Sequence, residues 1–258
     1  MIAVTLETLN QPLRSAVVVA AQAGIRGMVF DATGPLGPAS LGETARREVR
    51  HLLQSHLLSP VALRCPLRHG LEELDGYETR LERLRLAMQL SFDLGARMIL
   101  LGLGTLPAEV TDPRYERIKS ATTELAQFGD RIGCRIALDA GQEPVEHLLK
   151  LVQSIDTGSL GISLDPATLL MEKQPLEAGI FAVKGVLFHT YARDAIPRRV
   201  DRPAREVNLG QGDIDWLSWF GTLEACQYRG AYTIRQPDGT VPTLTTAVQL
   251  MRRCGIRG

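Results

Sequence analysis

Short apolar runs alternate with longer amphipathic segments along the whole chain. Ile2–Leu6, Gly27–Phe30, Val61–Cys65, Met98–Leu101, Arg135–Leu138, Leu160–Leu164, Val186–Thr190 and Ala231–Ile234 read as buried strands bounded by turn residues. Between them, Leu13–Ala23, Glu43–Leu57, Tyr77–Leu94, Asp112–Ile132, Pro144–Ser154, Pro175–Val183, Asp215–Tyr228 and Thr243–Cys254 read as helices. In Tyr77–Leu94 the apolar positions Leu81, Leu84, Ala87, Met88 and Phe92 fall at helical spacing, and Gly95 is the stop. Asp112-Pro113 is a cap and first-turn pair. Arg193–Asp213 reads as a long polar loop.

Each predicted strand is followed by a helix, and 258 residues divided by eight gives about 32 per unit, the size of a βα repeat in a closed barrel. An open doubly wound sheet usually carries a glycine-rich loop after its first strand, and Thr5-Leu6-Glu7-Thr8-Leu9-Asn10 is not one. No Pro/Ser-rich linker or shift of composition marks a boundary. The expectation is an α/β protein, a single (β/α)8 TIM-barrel domain over residues 1–258.

Composition narrows the function classes. Lys+Arg and Asp+Glu are 29 each, so the net charge is zero and the basic footprint of a nucleic-acid binder is missing. Zero charge also favours self-association slightly, which keeps a homo-oligomer open. Cys65, Cys134, Cys226 and Cys254 are scattered with no paired spacing, which argues for reduced thiols. The first residues have no basic stretch before an apolar run, and Ala16–Ala21 is far shorter than the roughly 18 residues of a membrane span. A soluble, cytoplasmic protein with no membrane or nucleic-acid partner is expected.

In a barrel of this kind chemistry gathers where the strands end. The polar residues there are Asp31, Arg64, Asp139, Asp165, His189, Tyr191 and Arg235.

Several segments resemble the xylose isomerase-like TIM-barrel superfamily of sugar isomerases and sugar-phosphate epimerases, which also contains endonuclease IV. They are Ile136-Ala137-Leu138-Asp139, Gly161-Ile162-Ser163-Leu164-Asp165-Pro166, Phe188-His189-Thr190-Tyr191-Ala192-Arg193-Asp194, Gly210-Gln211-Gly212-Asp213-Ile214-Asp215-Trp216 and Tyr232-Thr233-Ile234-Arg235. The resemblance implies a sugar or sugar phosphate as ligand and a Mn, Co, Mg or Zn ion held by Glu, Asp, His and Glu at four strand ends. Carried over residue by residue, those positions are Asp139, Asp165, Tyr191 and Arg235. One ligand matches, one is shortened by a methylene, and two are lost. A guanidinium has no lone pair for a metal and brings a positive charge to the metal's place. A phenol ligates only as the phenolate, whose reference pKa is about 10. No metal or other cofactor is therefore expected, and endonuclease chemistry, which in the resembled superfamily needs three metals and many histidines at the mouth, is not expected of a chain with five histidines and no net basic charge.

Asp139, Asp165, Tyr191 and Arg235 remain the candidate catalytic set, with Arg235 expected to pair with Asp165, Asp139 or both. His69, His189, Arg193 and Glu206 are the candidate ligand contacts. His189 lies two residues before Tyr191 on one strand, so it points to the same side, one layer deeper. It is either a satisfied core histidine or a substitute base. Glu206 is either a ligand contact or a pin for its loop. Three functional readings stay open: a carbohydrate-binding pocket with a dismantled metal centre, a metal-free isomerase or epimerase using Asp139, Tyr191 and Arg235, and a barrel that only binds a partner. A perturbed carboxylate facing open space, not locked to Arg235, favours the second over the first.

Overall fold

The structure, a computed structural model, describes residues 1–141, 143–200 and 202–256. Eight parallel strands close a barrel: β1 (Ile2–Thr5), β2 (Gly27–Asp31), β3 (Ser59–Arg64), β4 (Met98–Leu101), β5 (Arg135–Asp139), β6 (Leu160–Leu164), β7 (Leu187–Ala192) and β10 (Tyr232–Ile234). Neighbours follow chain order, and β10 pairs with both β7 and β1. The helices that return the chain are α2 (Leu13–Gln22), α3 (Glu43–Ser55), α4 (Tyr77–Leu94), α5 (Pro113–Ile132), α6 (Val145–Gln153), α8 (Leu176–Val183), α9 (Trp216–Ala225) and α10 (Val241–Arg253). Their apolar stripes and the outward strand residues form the main core. Among the described residues no helix is long and apolar enough to cross a membrane.

Three segments depart from the reading of the sequence. The first strand stops at Thr5, because the short helix α1 (Leu6–Leu9) starts there, with the Thr5 hydroxyl accepting from Thr8 N. Asp165 caps another short helix, α7 (Pro166–Met171), accepting from Ala167 N at 3.0 Å. The expected polar loop Arg193–Asp213 holds a hairpin, in which β8 (Asp194–Ile196) pairs antiparallel with β9 (Arg205–Val207).

One buried carboxylate fixes that hairpin. Asp194 Oδ2 accepts from Gly210 N (2.8 Å), Gly212 N (3.1 Å) and Trp216 Nε1 (3.0 Å), and Oδ1 accepts from Ala195 N (2.9 Å). Gly210 stands at φ +85°, and a Cβ on Gly212 would strike Asp194. The glycines of the G-x-G-D-x-D-W segment are thus explained by a bond to the residue that starts β8.

A second cluster fills the barrel's inside: Ala3, Val29, Ala62, Leu100, Ala137 and Tyr191 with their neighbours. Its middle is polar. His189 is fully buried, with Nδ1 2.9 Å from Ser163 Oγ and Nε2 2.8 Å from Thr233 Oγ1. Both ring nitrogens are therefore satisfied, and burial pushes the imidazole pKa down to about 3, so the ring is neutral. The alternation along β7 then carries Tyr191 one layer towards the mouth, its ring edge-on to His189 at 4.7 Å. Two bulges shape the other end. Val61 and Phe188 are the extra residues at register breaks in β3 and β7, and each is seated where a Cβ on Gly27 or Gly161 would collide.

Candidate active site

The strands deliver their terminal residues to one end of the barrel. Asp31, Arg64 and Asp139 are the last residues of β2, β3 and β5; Asp165 and Arg235 directly follow β6 and β10; Tyr191 lies in the last turn of backbone of β7. Asp139, Asp165, Tyr191 and Arg235 are thus brought to one mouth, as expected. Their pairing is not the one expected.

Arg235 does not sit on Asp165 or Asp139. Its Nε lies 3.3 Å from Glu7 Oε2. The same Glu7 oxygen lies 2.8 Å from Arg64 Nη2, and Arg64 also forks onto Asp31, at 2.7 and 3.1 Å. These four side chains form one network that joins α1, β2, β3 and the residue after β10. Burial alone would weaken the Arg64 charge, but Asp31 and Glu7 outweigh it and hold the guanidinium protonated. Glu7 escaped the reading of the sequence, although it stands just past a strand end like the others. The helical turn of α1 is what turns it to the mouth.

Asp165 pairs instead with Arg193, whose Nη1 is 2.7 Å from Oδ2. Arg193 Nε is 2.9 Å from Glu206 on β9. Arg193 therefore takes the place assigned to Arg235, two residues past Tyr191 on the neighbouring strand. Both Asp165 oxygens are engaged, one by Arg193 and one by the α7 cap. Glu206 is held to Arg193, as a pin of the hairpin would be.

Asp139 belongs to neither network. Its Oδ1 is sealed from solvent with no hydrogen-bond partner. Burial pushes the carboxyl up to about 6; the nearby Ser163 hydroxyl lowers it, Asp165 raises it, and the Arg64 and Arg235 charges lower it. Tyr191 is pushed up as well, by burial first and then by the Asp139 charge, so it stays a phenol. Asp139 lines a depression of about 560 Å³ together with Arg64, Arg68 and Glu72. Glu72 was also not singled out in the sequence. Its Oε1 accepts from Thr105 N at 3.0 Å, its Oε2 is enclosed without a partner, and its carboxylate lies against Gly70 and Gly104, where a Cβ would collide.

The remaining candidates lie apart. His69 is exposed, pairs with Glu73 at 2.9 Å, and lines a neighbouring depression with Thr33, Cys65 and Arg83. His189 is enclosed below the mouth with no nitrogen free for a ligand.

The family's divalent ion does not fit these residues. Asp165 has no free oxygen, Tyr191 is held as a phenol, and the last position carries a guanidinium. Among the described residues no three His, Cys, Asp or Glu side chains are grouped to hold a metal.

A sequence model described as xylose isomerase-like TIM barrel matches residues 17–254. No curated protein matches the chain. Among solved structures, a xylose isomerase domain protein from Planctomyces limnophilus is similar at TM-score 0.85 and 20% identity, over 98% of this chain and 95% of that one. A D-tagatose 3-epimerase-like protein follows at 0.82 and 15%, over 98% and 96%. A D-allulose 3-epimerase from Methylomonas sp. gives 0.79 and 17%, over 98% and 97%.

Proposed function

The chain belongs to the xylose isomerase-like TIM barrel family, and from that premise we propose that it binds a sugar or sugar phosphate at the mouth without a divalent ion and uses Asp139 to move a proton on it. One observation carries this reading. Asp139 is a perturbed carboxylate that lines the open depression at the mouth, and it is not locked to Arg235. A carboxyl near pH 6 takes and returns protons readily at neutral pH.

The proposed step is proton transfer beside a carbonyl. The Asp139 carboxylate takes the proton from the carbon next to the carbonyl. The C–H electron pair forms a C=C bond, and the carbonyl π pair moves onto oxygen, giving an enediolate. The Arg64 and Arg235 charges on the same rim oppose that negative oxygen. The C=C pair then takes the proton back from the Asp139 acid at the former carbonyl carbon, while the O–H pair of the neighbouring hydroxyl forms the new C=O and its proton passes to the enediolate oxygen, which gives the isomerised sugar. Tyr191 donates a hydrogen bond as a phenol.

A second reading, binding without turnover, draws on a different observation. Arg64, Arg193 and Arg235 are each already paired with carboxylates, which reduces what they offer to an enediolate.

The test is deuterium exchange in heavy water with EDTA present, over a panel of ketoses, aldoses and their phosphates, with calorimetric binding run in parallel. Exchange at the carbon beside the carbonyl, lost in Asp139→Asn, supports proton transfer. Binding without exchange leaves the second reading. Neither binding nor exchange across the panel overturns both.

A further inference from the structure

We propose that the opposite, N-terminal end of the barrel binds a small organic phosphate, in the depression between Arg97, Arg135 and Arg229. That depression has a volume of about 660 Å³, within the range of small-ligand sites. It shares no lining residue with the mouth cleft around Asp139.

Its floor is apolar and specially built. Val61 and Phe188, the two bulge residues, both line it, with Met98 beside them. A bulge re-aims the extra side chain, and here it turns one from β3 and one from β7 onto the same end of the barrel. Gly27 and Gly161 leave the space that these two side chains fill.

Its rim is cationic. No carboxylate stands within 4.0 Å of the Arg97, Arg135 or Arg229 guanidinium among the described residues. At the mouth, by contrast, Arg64, Arg193 and Arg235 are each paired with a carboxylate. Arg135 rests on the Phe188 ring at 5.1 Å, and Arg97 rests on Phe92 at 5.3 Å. A guanidinium held by its face keeps its in-plane N–H donors free. Asp130 also lines the depression, but its carboxylate accepts from the Thr157 hydroxyl at 2.6 Å. Glu224 lies in the adjoining depression, with Arg229 and Arg252.

Free guanidinium forks match phosphate oxygens two at a time. The apolar floor has no use for a bare inorganic ion but covers an organic body. Together they select a phosphate ester over inorganic phosphate.

The experiment is calorimetric titration of the full chain with ADP and, separately, with inorganic phosphate. ADP is expected to bind saturably and more tightly than inorganic phosphate. Arg135→Gln with Arg229→Gln is expected to weaken ADP about tenfold or more, while Arg235→Gln at the mouth leaves it unchanged. Arg135→Lys with Arg229→Lys keeps the charge and should lie between. Arg135 and Arg229 are exposed and Arg235 is partly buried, and an unchanged melting temperature confirms folding of each variant. No saturable ADP binding, equal affinity for the two probes, or a loss only in Arg235→Gln would overturn the proposal.

Discussion

Arg193 Nη1 lies 2.7 Å from Asp165 Oδ2, and both side chains are largely shielded from water. The pair joins the end of β6 to the hairpin, because the same guanidinium reaches Glu206. It follows that the mouth's positive charges are not interchangeable.

Arg193→Ala strands Asp165 beside a capped helix and frees Glu206. A loss of about 3 kcal/mol is expected, since one partner of a shielded pair is left without compensation. Arg235→Ala breaks a contact with a half-exposed Glu7, and should cost no more than about 1 kcal/mol. Urea unfolding of the two variants checks the order; equal losses would contradict the assigned pairing.

Asp139 sets a pH dependence. Its folded pKa, about 6, is above the unfolded carboxylate value. The folded chain therefore holds this proton more tightly, and the associated stability is present at acid pH and lost as pH rises from about 4 to about 6. Above that range the charged group is a burden of at most about 3 kcal/mol. Asp139→Asn should be the more stable protein at pH 7.5, with the gap closing by pH 4. Melting temperatures across that range decide it.

His189 has the opposite sign. Its folded pKa is depressed to about 3. The folded chain binds that proton less readily, so stability is lost as pH falls from about 6.5 towards 3. Its ring should show no titration above pH 4 by NMR. His189→Ala leaves the Ser163 and Thr233 hydroxyls without this partner and opens a void, at a cost of about 3 kcal/mol or more. Replacing all three, as His189→Leu with Ser163→Ala and Thr233→Val, should cost less than the single change.

The thiols should divide by burial. Cys65 and Cys134 are enclosed, and burial pushes the Cys134 thiol up to about 12 and Cys65 further. Cys226 and Cys254 are partly exposed. A thiol reagent should reach only Cys226 and Cys254 in the native protein and all four in denaturant.

The strands and most helices were legible in the sequence because each has one clear period. Met98–Leu101, Leu160–Leu164 and Tyr77–Leu94 fall where the pattern put them. β8 and β9 were not, because three residues are too few to show alternation. The site's membership was legible at the strand ends, and its pairing was not. An arginine side chain is long enough to choose among carboxylates on several strands. Arg235 had Glu7, Asp139 and Asp165 on the same rim, and only the turn of α1 made Glu7 its partner. The isolation of Asp139 follows from those choices and from nothing local to it.

The four N–H groups gathered on Asp194 have a consequence for how this fold can vary. They tie both feet of the hairpin to the start of α9 and so fix its base separately from its tip, where Arg199 pairs with Asp213 at 3.0 Å. Changes of length or sequence at that tip are insulated from the geometry of Asp165 and Tyr191. The tip is a graft point, where a new specificity can be added to an old barrel without rebuilding the chemistry below it.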